Sequence, residues 1–156
     1  NDRDVLRSMS PSLMSLVTMN VSKDYDLNGY KIDSRATASD LQQIREHLEE
    51  KWQQPKRDVV VQHLTWLYTV TSHREHHATD LTMMLSAYTD ELLRYPADTI
   101  KPAIRAAQRK SKWFPSLHEL TEELDYLTMH RSRLMQAVNT ALPHHKLIKQ
   151  ALHGTD

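Results

Sequence analysis

The chain of 156 residues contains no cysteine, only two glycines, no net charge and no long apolar run. Each absence removes a class of protein. Without cysteine there are no disulfides, thiolate zinc sites, iron–sulfur ligands or cysteine nucleophiles, and there is no sign of a secreted disulfide scaffold. Gly29 and Gly154 cannot build a glycine-rich phosphate loop, and no Walker A, dinucleotide or G-x-S-x-G motif occurs, which argues against an ATPase. Two glycines and six prolines also supply little for the many tight turns of a sandwich or barrel. Twenty Lys plus Arg balance twenty Asp plus Glu, so any binding to nucleic acid must come from a local patch. The apolar runs fall far short of the roughly 20 residues of a membrane span, and no signal-peptide pattern opens the chain. A cytoplasmic protein with no membrane contact is expected.

What remains is a chain suited to helices. Apolar residues at 39% and charged residues at 26% argue against disorder, and a chain of this length should bury about two-thirds of its unfolded surface. The fold class predicted is all-α, a compact bundle of five to six helices with a long C-terminal helix.

Residues 1–38 read as an N-terminal extension with one short helix, capped by Ser10 with Pro11 at its first position, followed by a loop through Asn28-Gly29 and Asp33-Ser34. Leu41, Ile44, Leu48 and Trp52 recur at helical spacing behind a Ser39 or Asp40 cap, and Pro55 closes the segment. A helix over 57–72 carries Val60, Leu64, Leu67 and Tyr68, although its Val and Thr content would also suit a strand. The clearest amphipathic segment holds Leu81, Met84, Leu85, Tyr88, Leu92 and Tyr95. Another helix follows through Ile100, Ala103, Ile104 and Ala107, with Thr99 as its cap if Pro102 is to fall in the first turn. Ser116 and Glu119 form a capping box, after which Leu117, Leu120, Leu124, Leu127, Leu134, Val138 and Ala141 keep a heptad spacing as far as Pro143, with Arg131 the one polar interruption. A short last segment spans His144 to Leu152. These readings place a helical core domain at 39–128 and a helical tail at 129–156.

Several clusters invite chemistry. His73, His76 and His77 surround Glu75, but the spacing does not match H-E-x-x-H and an exposed polar loop accounts for them. His118-Glu119-Leu120-Thr121-Glu122 has Glu where a second zinc ligand should be. Glu49-Glu50 and Glu122-Glu123 fall on polar helix faces, and no acid/base pair stands out, so a non-enzymatic protein without metal or cofactor is expected. Lys101, Arg105, Gln108 and Lys112 fall at steps of four, three and four, with Arg109 and Lys110 beside them. Such a stripe suits phosphates, and the neighbouring Trp113 and Phe114 suit base stacking; the alternative is a solvated face with the aromatics as core anchors. In the tail, Arg131, Leu134, Met135 and Val138 extend the apolar seam, a surface for a partner helix or a second copy of the chain.

Tyr88-x-x-x-Leu92-x-x-Tyr95-Pro96-Ala97-Asp98, Ala103 to Ala107, and Lys112-Trp113-Phe114-Pro115-Ser116-Leu117-x-Glu119-Leu120 together resemble the helical domain of phage and prophage replicative-helicase loader and inhibitor proteins, over roughly residues 80–125. The resemblance implies an adaptor without its own ATPase that binds a hexameric DnaB-type replicative helicase and loads or restrains it. It also implies that the tail from about Arg131 onward makes the helicase contact. The first 75 residues do not align with that family. Two other readings stand beside it: a DNA-binding replication accessory protein that uses Lys101, Arg105, Arg109, Lys110 and Lys112, and a structural protein that self-associates through the seam.

Overall fold

A computed structural model describes the backbone of residues 1–153 and the side chains of residues 1–143. The elements are α1 (Asp2–Arg7), α2 (Pro11–Met14), β1 (Val17–Val21), β2 (Leu27–Ile32), α3 (Ala38–Lys51), α4 (Arg57–Val70), α5 (Ala78–Leu92), α6 (Ala97–Lys110) and α7 (Leu117–His153). The chain is therefore largely helical, with one antiparallel two-stranded sheet added. Among the described residues no helix is long and apolar enough to cross a membrane.

The chain groups into two compact units, and their limits differ from the 1–38, 39–128 and 129–156 division read from the sequence. The first unit is residues 52–128 with Asn1; the second is residues 2–51 together with 129 onward.

The first unit is built on helix stripes. Val60, Leu64 and Leu67 of α4, Leu92 of α5, Ile100, Ala103, Ile104 and Ala107 of α6, and Leu120 and Leu124 of α7 form its buried core. Helix wins over strand at α4 because Val60, Leu64 and Leu67 need a helical period to share one face. At α6 the helix starts before the expected Thr99 cap: the Thr99 hydroxyl and N–H both donate to the Pro96 carbonyl, at 2.7 and 3.0 Å, and close the first turn there. Pro102 consequently lies inside the helix. The Ser116 box forms as read, with the Glu119 N–H donating to Ser116 Oγ at 3.1 Å and the Ser116 N–H to Glu119 Oε1 at 3.3 Å. Helix α7 then runs past Pro143, where the sequence placed its end; Leu142, buried in the core, anchors the turn before that proline.

In the second unit the N-terminal 38 residues are not an appendage. Leu6, Met9 and Leu13 pack with Leu41, Ile44 and Leu48 of α3 and with Leu134, Val138 and Leu142 of α7. The segment read as a loop holds the hairpin β1–β2, in the register Val17↔Ile32 to Asn20↔Gly29, after which one extra residue makes Val21 face Leu27. Asn28-Gly29 is thus a bulge in β2 rather than the turn. The turn is Ser22 to Asp26, with Tyr25 in the left-handed region at φ 64°. The α3 cap is Thr37, not Ser39 or Asp40 acting alone: the Asp40 N–H donates to Thr37 Oγ1 at 3.1 Å, and the Thr37 N–H donates back to Asp40 Oδ2 at 2.9 Å.

One buried ion pair closes this unit. Arg131 Nε donates to Asp2 Oδ1 at 2.7 Å, with the two side chains 1% and 8% exposed. Asp2 Oδ2 also accepts the His130 backbone N–H at 2.6 Å, although that N–H lies well inside α7. Removing one partner of such a pair strands the other charge in an apolar core. We expect Asp2→Ala to cost about 3–5 kcal/mol in urea unfolding, several-fold more than removing the exposed Arg45–Glu49 pair.

Candidate nucleic-acid interface

The strongest candidate surface lies in the first unit, on α4 and α6. These helices run in parallel, because Arg105 sits over the ring of Trp66, 3.9 Å from its centroid, and the last residues of both helices line one cavity. Helix α6 separates its two faces sharply: Ile100, Ala103, Ile104 and Ala107 are buried, while Lys101, Arg105 and Arg109 are exposed. Among the described residues, Lys101, Arg105, Arg109 and Lys112 form no ion pair with a carboxylate. Lys110 does not share that freedom. Its ammonium is hydrogen-bonded to Glu123 Oε1, which raises its pKa, and so Lys110, expected in the basic stripe, is largely neutralised.

The cavity, of about 530 Å³, is lined by Thr69, Val70, Thr71 and Ser72 at the end of α4 and by Gln108 to Lys112 at the end of α6. Both helices present their carbonyl ends here, and cations in a last turn offset the negative pole of a helix. Arg109 and Lys112 therefore have a structural use as well as a capacity for anions.

The chain leaving α6 is held extended against α4. The Ser72 N–H donates to the Lys112 carbonyl at 2.7 Å, and the Phe114 N–H donates to the Ser72 carbonyl at 2.8 Å, a single parallel bridge between Ser72 and Trp113. Successive side chains of an extended segment point to opposite sides. Phe114 accordingly turns inward, its ring 5.4 Å from that of Tyr68 and 5.5 Å from that of Tyr88. Trp113 turns outward and is 54% exposed, with the Lys112 ammonium 5.6 Å from its ring centroid. Read as a pair from the sequence, the two aromatics have separate fates: one is the core anchor, the other is surface.

His63 on α4 belongs to the same face. Burial, and then the positive charges of Lys101 and Arg105, lower its pKa from the usual 6.5. Neither His63 nor Trp66 was legible as a site residue. They stand one turn apart, off the Val60–Leu64–Leu67 stripe, and only the packing of α4 on α6 brings them to the cations.

The apolar seam in the tail is not a surface. Arg131, Leu134 and Val138 are 1%, 0% and 0% exposed, and Met135 packs against the same core. Residues 1–51 supply the cover that the sequence reading had left free for a partner. The histidine loop holds no ligand set either: Tyr68 stacks on His73 with ring centroids 3.5 Å apart, its hydroxyl meets His76 Nδ1 at 3.3 Å, and residues 73–77 are not helical. His118 pairs with Glu122 at 3.0 Å. Among the described residues no group of three or more His, Cys, Asp or Glu side chains is placed to hold a metal.

No family model, curated protein or solved structure matches the chain.

Two outcomes follow from this placement. Because the folded state holds His63 below its ordinary pKa, the stability tied to it is fully present above about pH 6.5 and is lost as pH falls through the lower folded value. We expect Tm to fall on acidification below about pH 6.5, and His63→Gln to lessen that fall in part, since burial also lowers His130. In turn, Leu134→Asp or Val138→Asp should cost about 4 kcal/mol or more and abolish cooperative melting of the second unit, seen by circular dichroism, rather than spare the fold while removing a partner.

Proposed function

We propose that the chain is a non-enzymatic accessory factor of a DNA-replication machine that holds nucleic acid on the α4/α6 face. The observation that carries this reading is the line of Lys101, Arg105, Arg109 and Lys112 along one exposed edge, without carboxylate partners among the described residues, in a molecule whose formal charge is zero. In a neutral protein, an unneutralised line of four cations is a local potential rather than a by-product of overall basicity. Each phosphate it meets releases counterions, so affinity falls steeply with salt. Arg105 over Trp66 adds a planar cation held in place on an aromatic ring, which reduces the side-chain freedom lost on binding.

The resemblance to helicase loader and inhibitor proteins supports a second reading, in which the same chain brings a hexameric DnaB-type helicase to that nucleic acid. The observation favouring it is that the resembling segment packs as one piece: the Tyr88 hydroxyl donates to the Pro115 carbonyl at 2.9 Å, and Phe114 lies against Tyr88. The helicase contact implied for the tail has no use of Leu134 and Val138, which are in the core, and its part beyond residue 143 lies outside the described side chains.

The deciding experiment is fluorescence anisotropy with a labelled oligonucleotide across a salt series. We expect log Kd to rise with log salt at a slope of about 2 to 4, and Arg105→Glu with Arg109→Glu to weaken binding more than roughly 30-fold and flatten the slope. Arg133→Glu, an exposed charge in the other unit, should change neither. Binding that is absent at low salt, or indifferent to the double reversal, would refute the assignment.

A further inference from the structure

The geometry points to single-stranded nucleic acid as the ligand of this face, with Trp113 as a platform for an unpaired base and the cavity beside it as the seat of the adjoining phosphate; this rests on the nucleic-acid reading above. Duplex bases are stacked on one another and offer an aromatic side chain no face, whereas every unpaired base does. The question is then whether Trp113 is built to be exposed. Its backbone is pinned on both sides by the two hydrogen bonds to Ser72, and its own N–H donates to Ser111 Oγ at 3.1 Å. With Phe114 committed to the core between Tyr68 and Tyr88, the alternation of an extended strand leaves Trp113 no inward option. The backbone of a large aromatic is thus fixed with its side chain outward at the end of a cationic edge. Only two side-chain torsions then remain to be ordered on stacking, which suits a platform.

The phosphate seat rests on Arg109 and Lys112 outweighing the negative carbonyl ends of α4 and α6 that share the cavity. Arg109 and Lys112 supply charge at the cavity, which Thr69, Ser72 and Ser111 also line. A volume of about 530 Å³ lies in the range of small-ligand clefts and accommodates a phosphate and its sugar. Lys112 also stands over the Trp113 ring, so one residue borders both the charged seat and the platform.

The test compares a labelled oligothymidylate, an oligouridylate and a duplex of equal length by anisotropy, with intrinsic tryptophan fluorescence read in parallel. The two homopolymers separate DNA from RNA as the source of the strand. We expect either single strand to bind at least about tenfold more tightly than the duplex and to quench tryptophan emission. Trp113→Ala should lose roughly tenfold in single-strand affinity and most of the quench, leave duplex affinity unchanged, and Trp113→Phe should restore part of the loss. Because Trp113 lies on the surface, an unchanged melting curve for each variant is expected and checks that the fold persists. Equal affinity for strand and duplex, or Trp113→Ala binding strand as the unmutated chain does, overturns the single-strand assignment while leaving the nucleic-acid reading intact. Failure to bind any of the three overturns both.

Discussion

Arg131 carries a full charge into the core of the second unit, and the rest of that unit is arranged so that Asp2 meets it there. A guanidinium buried without a carboxylate would cost several kcal/mol. The pair therefore makes the first residues of the chain as necessary as the helix they meet. It also orders the neighbourhood: the same carboxylate takes the backbone N–H of His130, and the His130 ring in turn meets the Tyr30 hydroxyl at 2.7 Å. Burial and the nearby Asp2 push the Tyr30 hydroxyl up to about 12. Helix α1, the hairpin and α7 are tied into one polar thread through an otherwise apolar core.

That thread explains what could and could not be read from the sequence. Helices α3 to α6 were legible because each carries a stripe of apolar residues longer than two turns, and the Ser116–Glu119 box was legible because capping is local. The hairpin was not. Four of the five residues of β1 are exposed, so no alternation of apolar and polar residues marks it, and Asn28-Gly29 signals a turn at a place where the chain only bulges. Helix α1 is six residues long, too short to display a period. The largest misreading concerned Arg131. In a heptad it reads as an interruption, the point where a core helix becomes a free seam, and only a contact across 129 positions makes it interior.

The candidate interface was half legible for the same reason. A stripe of cations on one helix is visible from spacing, and Lys101, Arg105, Arg109 and Lys112 are exposed as that spacing implies. Lys110 is removed from the stripe by Glu123, thirteen residues away on another helix. Trp66 and His63 join it through the packing of α4 on α6. The separate roles of Trp113 and Phe114 depend on the Ser72 bridge, a contact between segments some forty residues apart. Local rules gave the charges; long-range contacts decided which of them remain available.

The division of the chain has a consequence for how it is made. Residues 52–128 are continuous, and among the described residues their core draws on nothing later in the chain. The second unit is interrupted by that whole stretch. Its first fifty residues must wait, with Leu41, Ile44 and Leu48 covered only by other N-terminal side chains such as Leu6, Met9 and Leu13, until Leu134 and Val138 have been synthesised and Arg131 can reach Asp2. Long loops close slowly, and apolar surface exposed meanwhile invites aggregation. The two units should therefore mature in sequence, the α4/α6 face first and the Asp2–Arg131 lock last.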